Sequence, residues 1–243
     1  VGAVQSHLAV AFDRINMAAA DVAPRTITIL GLGSLLSERS CRMTFPVLSN
    51  FRLARLHGFR RVFAHTPAVF KNRGIADIPS LQMASLSAEP CEGSSFIVTA
   101  FEVPDAGTGM EAFREREEEF DLEMVDFTTL DGEPGGNGML CKASTDAAYI
   151  AQWGQERFDS LYTAVGYKTI WSWPYDSGLL PCATYLRHCA LAAEKLGQAA
   201  NDSFLDETLL CDRKTTLRTY LSEHHERIMS TLPPEELVER YSG

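Results

Sequence analysis

Two hydrophobic periodicities divide this chain: before residue 146 apolar residues run mostly in short β-prone blocks, and beyond it they recur at helical spacing. Thr26 to Leu30 reads as a strand, as do "RLHGFRRVFAHT", "LQMASLS", "SSFIVTAFEV" and "GMLCKAST", each bounded by Pro, Gly or acidic turn residues. Helical patterning covers Met110 to Met124, then "TDAAYIAQWGQERFDSLYTAVG", "PCATYLRHCALAAEKLG" and "SFLDETLLCDRKTTLRTYLSEHHERIM". Strands first and helices later predict an α+β arrangement, not the strand–helix alternation of a doubly wound sheet. "DGEPGGNG", from Asp131 to Gly138, predicts a hairpin loop or a small excursion.

A chain of 243 residues with 45% apolar content can bury a substantial core, and one domain with an elaborated end is expected. The expected partition is an N-terminal extension over 1–25, a core over 26–145 and a helical part over 146–243 packed on the same domain. No stretch is long and apolar enough for a transmembrane segment. The first residues, Val1 to Ala23, are Ala-rich and nearly uncharged, which fits either the mature end of a processed chain or an artificial boundary. The expected location is therefore cytoplasmic, or an organelle matrix or stroma after removal of a targeting segment. Six cysteines without any C-x-x-C pair read as reduced core residues rather than a zinc site or a disulfide framework.

The net charge of −10 argues against nucleic acid as a partner, but the charge is unevenly spread. From Arg39 to Arg73 there are eight basic residues and no acid, and from Glu102 to Glu133 twelve acids against Arg114 and Arg116. Such blocks form either two oppositely charged faces or an anion-binding wall facing an acidic helix.

The break in "TITILGLGSLLSERS" is the first candidate for chemistry. A dinucleotide loop needs a third glycine where Leu36 stands, and no acid follows to hold a ribose. No G-K-[ST] follows for a phosphate loop, and Ser34 lacks the later glycine of a hydrolase elbow. Gly31 and Gly33 instead let the backbone approach a ligand, and successive amides of the turn can converge on an anion or a polarised carbonyl. The second candidate is Glu117. On a helix at about 100° per residue, Met110, Phe113, Phe120 and Met124 share one apolar stripe, and Glu117 lies in its middle. Glu115, Glu118 and Glu119 fall on the wet face. A carboxylate sent into apolar surroundings needs a partner, such as Arg60 or Arg61, or a catalytic role as general base or acid.

With the turn and this glutamate together, the chain resembles the gamma-glutamylcyclotransferase superfamily, and within it the ChaC-type enzymes. "GLGSLLS" is similar to the family's G-Y-G-S-L turn, "HGFRRVF" to its G-Y-x-R-R-F strand and "KNRGIA" to its H-R-G-x-P element. "ASLSAEPCEG" with "VTAFEVP" is similar to the strand pair before the catalytic helix, Arg116-Glu117 to the family's Arg-Glu, and "ATYLRHC" to a late Y-L helix. Leu32 stands where the family has tyrosine, and "EEF" where ChaC-type enzymes have Gly-Gly-Tyr.

The resemblance implies a small mixed β-barrel with flanking helices and intramolecular aminolysis of a γ-glutamyl peptide or amine, such as glutathione or a γ-glutamyl dipeptide, releasing 5-oxoproline. It implies Glu117 as the proton carrier and the turn through Gly31, Leu32, Gly33, Ser34, Leu35 and Leu36 as the substrate cradle. Arg60, Arg61 and Arg73 are candidates to hold an anionic peptide. No metal or organic cofactor is implied. The alternative is a catalytically weak member serving as a binding module, with the helical third from Asp146 onward as a surface for a protein partner. Elsewhere, His224 and His225 read as a wet pair, and Trp171, Trp173 and Tyr175 as packing against the core or lining a pocket.

Overall fold

The computed structural model describes residues 25–105 and 108–243. The proposed N-terminal extension therefore lies, but for Arg25, outside the described residues.

Five strands form a ring: β1 (Thr26–Gly31), β2 (Ser49–His65), β3 (Gln82–Pro104), β4 (Asp121–Thr128) and β5 (Pro134–Lys142). β1 pairs antiparallel with β3 and parallel with β5, β5 antiparallel with β4, β4 with β2, and β2 with β3. The last pairing returns to the first strand's neighbour, so the sheet closes into a five-stranded barrel, an α+β fold. Two short strands from the second half, β6 (Leu180–Pro181) and β7 (Thr208–Leu209), add in parallel to β3 and β2.

Eight helices surround the barrel among the described residues: α1 (Glu38–Thr44), α2 (Ala68–Asn72), α3 (Thr108–Arg116), α4 (Asp146–Trp153), α5 (Gln155–Leu161), α6 (Ala183–Lys195), α7 (Gln198–Asp206) and α8 (Leu217–Ser230). None is long and apolar enough to cross a membrane. The main apolar cluster runs without a break from barrel residues such as Leu30, Phe63 and Phe96 to Tyr162, Leu186, Phe204 and Ile228 of the second half. A smaller cluster packs α1 and α3 onto β1 and β3 through Cys41, Phe45, Phe101 and Phe113. All six cysteines are free thiols, and five are buried.

Four elements differ from the pattern read off the sequence. The helical span "TDAAYIAQWGQERFDSLYTAVG" is divided into α4 and α5 at Gly154, which takes φ +90°. "LQMASLS" and "SSFIVTAFEV" are one strand, β3; its register on β2 jumps from His57 opposite Ser95 to Phe59 opposite Pro90. The extra residues lie on β3 between Pro90 and Ser95, where Gly93 takes φ +78° without a Cβ penalty, opposite Gly58 at φ +76°.

The helix expected from Met110 to Met124 ends at Arg116, and Asp121 already begins β4. Clustered glutamates repel one another at helical spacing and sit badly at a helix C-terminus, whereas Val125, Phe127 and Thr128 suit a strand. Phe120 and Met124 therefore share no helical stripe with Met110 and Phe113. The span from Ser203 to Met229 is likewise broken, into α7, β7 and α8. Between them the Asp212 carboxylate accepts from the Lys214 and Thr215 amides, and Thr216 caps α8 by accepting from the Thr219 amide. "DGEPGGNG" forms the β4–β5 hairpin, closed by Thr129 N–H on the Glu133 carbonyl at 2.8 Å.

Candidate active site

β1 ends at Gly31, and Ser34–Leu36 then form one 3-10 turn. The turn is tight because side chains are missing where it touches its neighbours. A Cβ on Gly31 would lie 2.4 Å from Thr99 Oγ1, and one on Gly33 would lie 2.2 Å from the Tyr185 hydroxyl. Tyr185, on α6, uses that closeness: its hydroxyl accepts from the Ser34 amide at 3.2 Å, and burial keeps it protonated. The Leu36 amide closes the turn on the Gly33 carbonyl at 2.9 Å. The cradle is thus narrower than the glycine pattern suggests, because the Ser34 and Leu36 amides are already drawn into these two bonds. Gly33→Ala is expected to displace Tyr185 and impair any ligand binding at the turn by at least about tenfold, as loss of a hydrogen bond with added overlap implies. Tyr185→Phe in the same chain should recover most of the loss, since the ring carbon behind the hydroxyl is 3.4 Å from that Cβ; titration with a γ-glutamyl dipeptide checks both variants.

Glu117 follows directly on the last residue of α3. Its carboxylate is buried, and its partner is its own neighbour: Arg116 Nε lies 2.9 Å from Glu117 Oε1. Adjacent residues within a helix diverge, so the helix end at Arg116 is what permits this pair. The same guanidinium donates to Ser34 Oγ at 2.8 Å and to Thr44 Oγ1 at 2.9 Å. Burial, the largest single influence, would lower the Arg116 pKa, but the Glu117 carboxylate together with smaller contributions from Tyr185, Cys141 and Cys41 outweighs it and holds the pKa above its ordinary value. Carboxylate and glycine turn therefore belong to one hydrogen-bonded chain, Glu117–Arg116–Ser34.

They share a cavity of about 550 Å³ whose walls include Leu32, Gly33, Ser34, Leu35, Glu117 and Tyr185. Gly31 and Leu36 do not line it. Arg73 does, with its guanidinium donating to the Tyr241 hydroxyl at 2.8 Å.

Arg60 and Arg61 are not brought to the cavity, and neither pairs with Glu117. Arg60 makes two bonds to Glu89 Oε2, at 2.8 and 3.0 Å. Arg61 is fully buried and donates to Thr208 Oγ1 and to the carbonyls of Leu32, Ile97 and Ser203. It lies on β2, whose side chains alternate between two faces, so neighbouring arginines cannot both face one ligand. Five residues of the basic block, Arg39, Arg42, Arg52, Arg55 and Arg60, pair with Glu239, Glu38, Glu102, Glu207 and Glu89, and only Glu102 of these belongs to the acidic block.

Glu119, expected on the wet face, is buried and also lines the cavity. It accepts from the Tyr162 hydroxyl and from the Ala68 amide at the start of α2, while Trp171 Nε1 donates to its backbone carbonyl at 3.1 Å. Burial outweighs those bonds and pushes its carboxyl up from 4.5 to about 8. Between these values the folded chain holds a proton that the unfolded chain has lost, so this group's contribution to stability falls as pH rises. The slope approaches about 1.4 kcal/mol per pH unit at most. Glu119→Gln should flatten it, which urea unfolding at several values between pH 5 and 8 would read.

His65 completes that wall, fully buried, stacked 4.5 Å from Trp171 and kept neutral by burial, which lowers it to about 3. Trp173 packs nearby through a bond to Thr66 Oγ1, whereas Tyr175 is exposed against Arg213. Among the described residues no cluster of His, Cys, Asp and Glu suits a metal ion.

Arg116, Tyr185 and Glu119 are the functional candidates that sequence reasoning left without a role. The first two stood in quoted motifs, but only the fold shows that they meet at Ser34.

No family model and no curated protein matches this chain. Solved structures resemble it. One is an uncharacterized protein from Homo sapiens, at 12% identity over 86% of this chain and 90% of that one, with a TM-score of 0.47. Another is a gamma-glutamyl cyclotransferase, at 12% identity over 87% and 90%, with a TM-score of 0.46. A third is a yeast gamma-glutamyl cyclotransferase specific to glutathione, at 14% identity over 89% and 96%, with a TM-score of 0.40. At these identities the likeness is one of chain course, and the chemistry of the site rests on its own geometry.

Proposed function

We propose that this chain is a γ-glutamylcyclotransferase-like enzyme, releasing 5-oxoproline from a γ-glutamyl peptide or amine by intramolecular aminolysis. The observation that carries the reading is the chain Glu117–Arg116–Ser34, which ties a buried carboxylate to a glycine turn at the wall of one cavity. The motif-level resemblance to ChaC-type members supports the same reading.

In the reaction the substrate's α-amine attacks its own γ-carbonyl, forming a C–N bond while the carbonyl electrons move to oxygen. Glu117 takes the proton from the attacking nitrogen and returns it to the leaving nitrogen. The tetrahedral intermediate then collapses with cleavage of the original C–N bond, giving 5-oxoproline and the free amine. Amides of the turn would stabilise the oxyanion or hold the α-carboxylate, and Arg116 would hold Glu117 in place. The cavity would restrict the substrate rotamers on which ring closure depends.

Incubation of the purified protein with glutathione and with γ-glutamyl dipeptides, followed by assay of 5-oxoproline, tests this directly. Absence of product from every γ-glutamyl donor overturns it. The second reading, a catalytically weak member acting as a binding module, draws on Leu32, which adds an apolar side chain, not a hydroxyl, to the cavity wall. It expects a stoichiometric protein partner on native purification, lost when the surface of α6–α8 is altered.

A further inference from the structure

The charges around the cavity do not balance at one end. Of the arginines on its walls, Arg157 is paired with Glu118 at 2.6 Å and Arg116 with Glu117 at 2.9 Å. Glu119 carries a proton at neutral pH, and Glu115 is exposed. Arg73 and Arg240 remain. Arg73 has the neutral Tyr241 hydroxyl as its side-chain partner, and the Arg240 side chain makes no ion pair or hydrogen bond among the described residues. Both are only partly exposed, and both line the cavity that holds Glu117.

This end of the cavity is also held in place. The 3-10 turn Glu235–Leu237 is followed by Arg240 and Tyr241, whose amides return to the Leu237 carbonyl at 3.1 and 3.0 Å. Beyond them the Gly243 amide donates to His188 Nδ1 at 3.0 Å, and Lys195 Nζ donates to the Gly243 carbonyl at 2.9 Å. Tyr241 packs its ring against His188, and Arg73 lies 5.9 Å from the ring centroid. The two half-buried guanidiniums repel each other, and the carboxylate that also faces them, Glu117, is already paired with Arg116; burial, Arg116 and Arg73 together outweigh Glu117 and Tyr241 and lower the Arg240 pKa. A bound anion would relieve that cost, and its charge-assisted bonds would form in a partly dry site.

We propose that Arg240 and Arg73, with the Tyr241 hydroxyl, form a carboxylate-binding subsite for the leaving portion of the substrate. The subsite makes the chain selective for γ-glutamyl amino acids and peptides with a free carboxylate over γ-glutamyl amines. This rests on the γ-glutamyl reading above. A substrate carries two candidate carboxylates, its own α-carboxylate and that of the leaving amino acid; the turn amides are taken to hold the first, so that the arginines serve the second.

The test compares γ-glutamyl-alanine with γ-glutamyl-alaninamide, which differ only in the leaving-group carboxylate. The wild-type protein is expected to show a kcat/KM about 10- to 100-fold higher for the acid. In Arg240→Gln, and separately in Arg73→Gln, that ratio should fall to within about threefold, with thermal melting used to confirm folding. Equal kcat/KM for both compounds in the wild type overturns the proposal. So does an equal loss on both in the variants, which would put the arginines on the α-carboxylate. Calorimetric titration of the same two compounds separates the two readings. Arg240-dependent preference for the acid without any 5-oxoproline retains the subsite and removes the cyclotransferase; equal dissociation constants remove the subsite whether or not product forms.

Discussion

Glu117→Gln is expected to lower kcat for 5-oxoproline release by about 10²- to 10⁴-fold, the usual worth of a positioned general acid or base. The amide oxygen can still accept from Arg116 Nε, and Arg116 keeps its bonds to Ser34 and Thr44, so the turn and the cavity wall should persist. What the amide cannot do is take the proton from the attacking amine. The loss should therefore appear in kcat, with KM changed little and the melting temperature shifted by a few degrees. Steady-state kinetics on glutathione or a γ-glutamyl dipeptide measures it. Full activity in this variant would remove Glu117 from the mechanism and the enzyme reading as stated.

The largest effect on stability is expected at Arg61. Its guanidinium lies 4.9 Å from the ring centroids of both Phe96 and Phe204, and it makes four hydrogen bonds without contacting an acid. Burial lowers its pKa to about 10, so it stays charged at neutral pH. Arg61→Met would remove a buried cation and the donor to the Thr208 hydroxyl and to the Leu32 and Ile97 carbonyls, while the Ser203 carbonyl keeps the Glu207 amide. A loss of about 3–5 kcal/mol in urea unfolding is expected, the range for truncating a buried, hydrogen-bonded charge. Arg61→Lys should lose part of it, because an ammonium has three donors and no planar fork to span these acceptors. Because one bond goes to the Leu32 carbonyl, both variants should also weaken any ligand binding at the glycine turn. A variant as stable as the wild type would show that the bonds are geometrically present but energetically idle.

These two residues show how unevenly the site could be read beforehand. Glu117 was singled out by a helical stripe that the folded chain does not contain: Phe120 and Met124 lie beyond the helix, and Met124 is 44% exposed in β4. The glutamate is buried nonetheless, because the chain turns there and the Arg116 guanidinium receives it. Its neighbour Glu119, assigned to solvent by the same stripe, is buried at the start of α2. Arg61 was marked as a ligand candidate for its place in a basic block. One-dimensional charge says nothing about which face of β2 a side chain takes, and this one points into a packed layer between β3 and α7. Tyr185 could not be linked to the glycine turn by any local pattern, since the two are 151 positions apart.

The sequence by itself determined the α+β class, most barrel strands, the helical character of the second half and the unusual character of the Gly31 to Leu36 turn. These follow from local rules: apolar periodicity, turn residues and the need of a close backbone for glycine. Only the tertiary structure decided where the acidic helix stops, which arginine partners Glu117, which turn amides are already engaged and which cations are left facing the cavity. Such choices depend on burial and on pairing between distant segments, whose free energies exceed the local preferences of a few residues and are set only when the barrel closes.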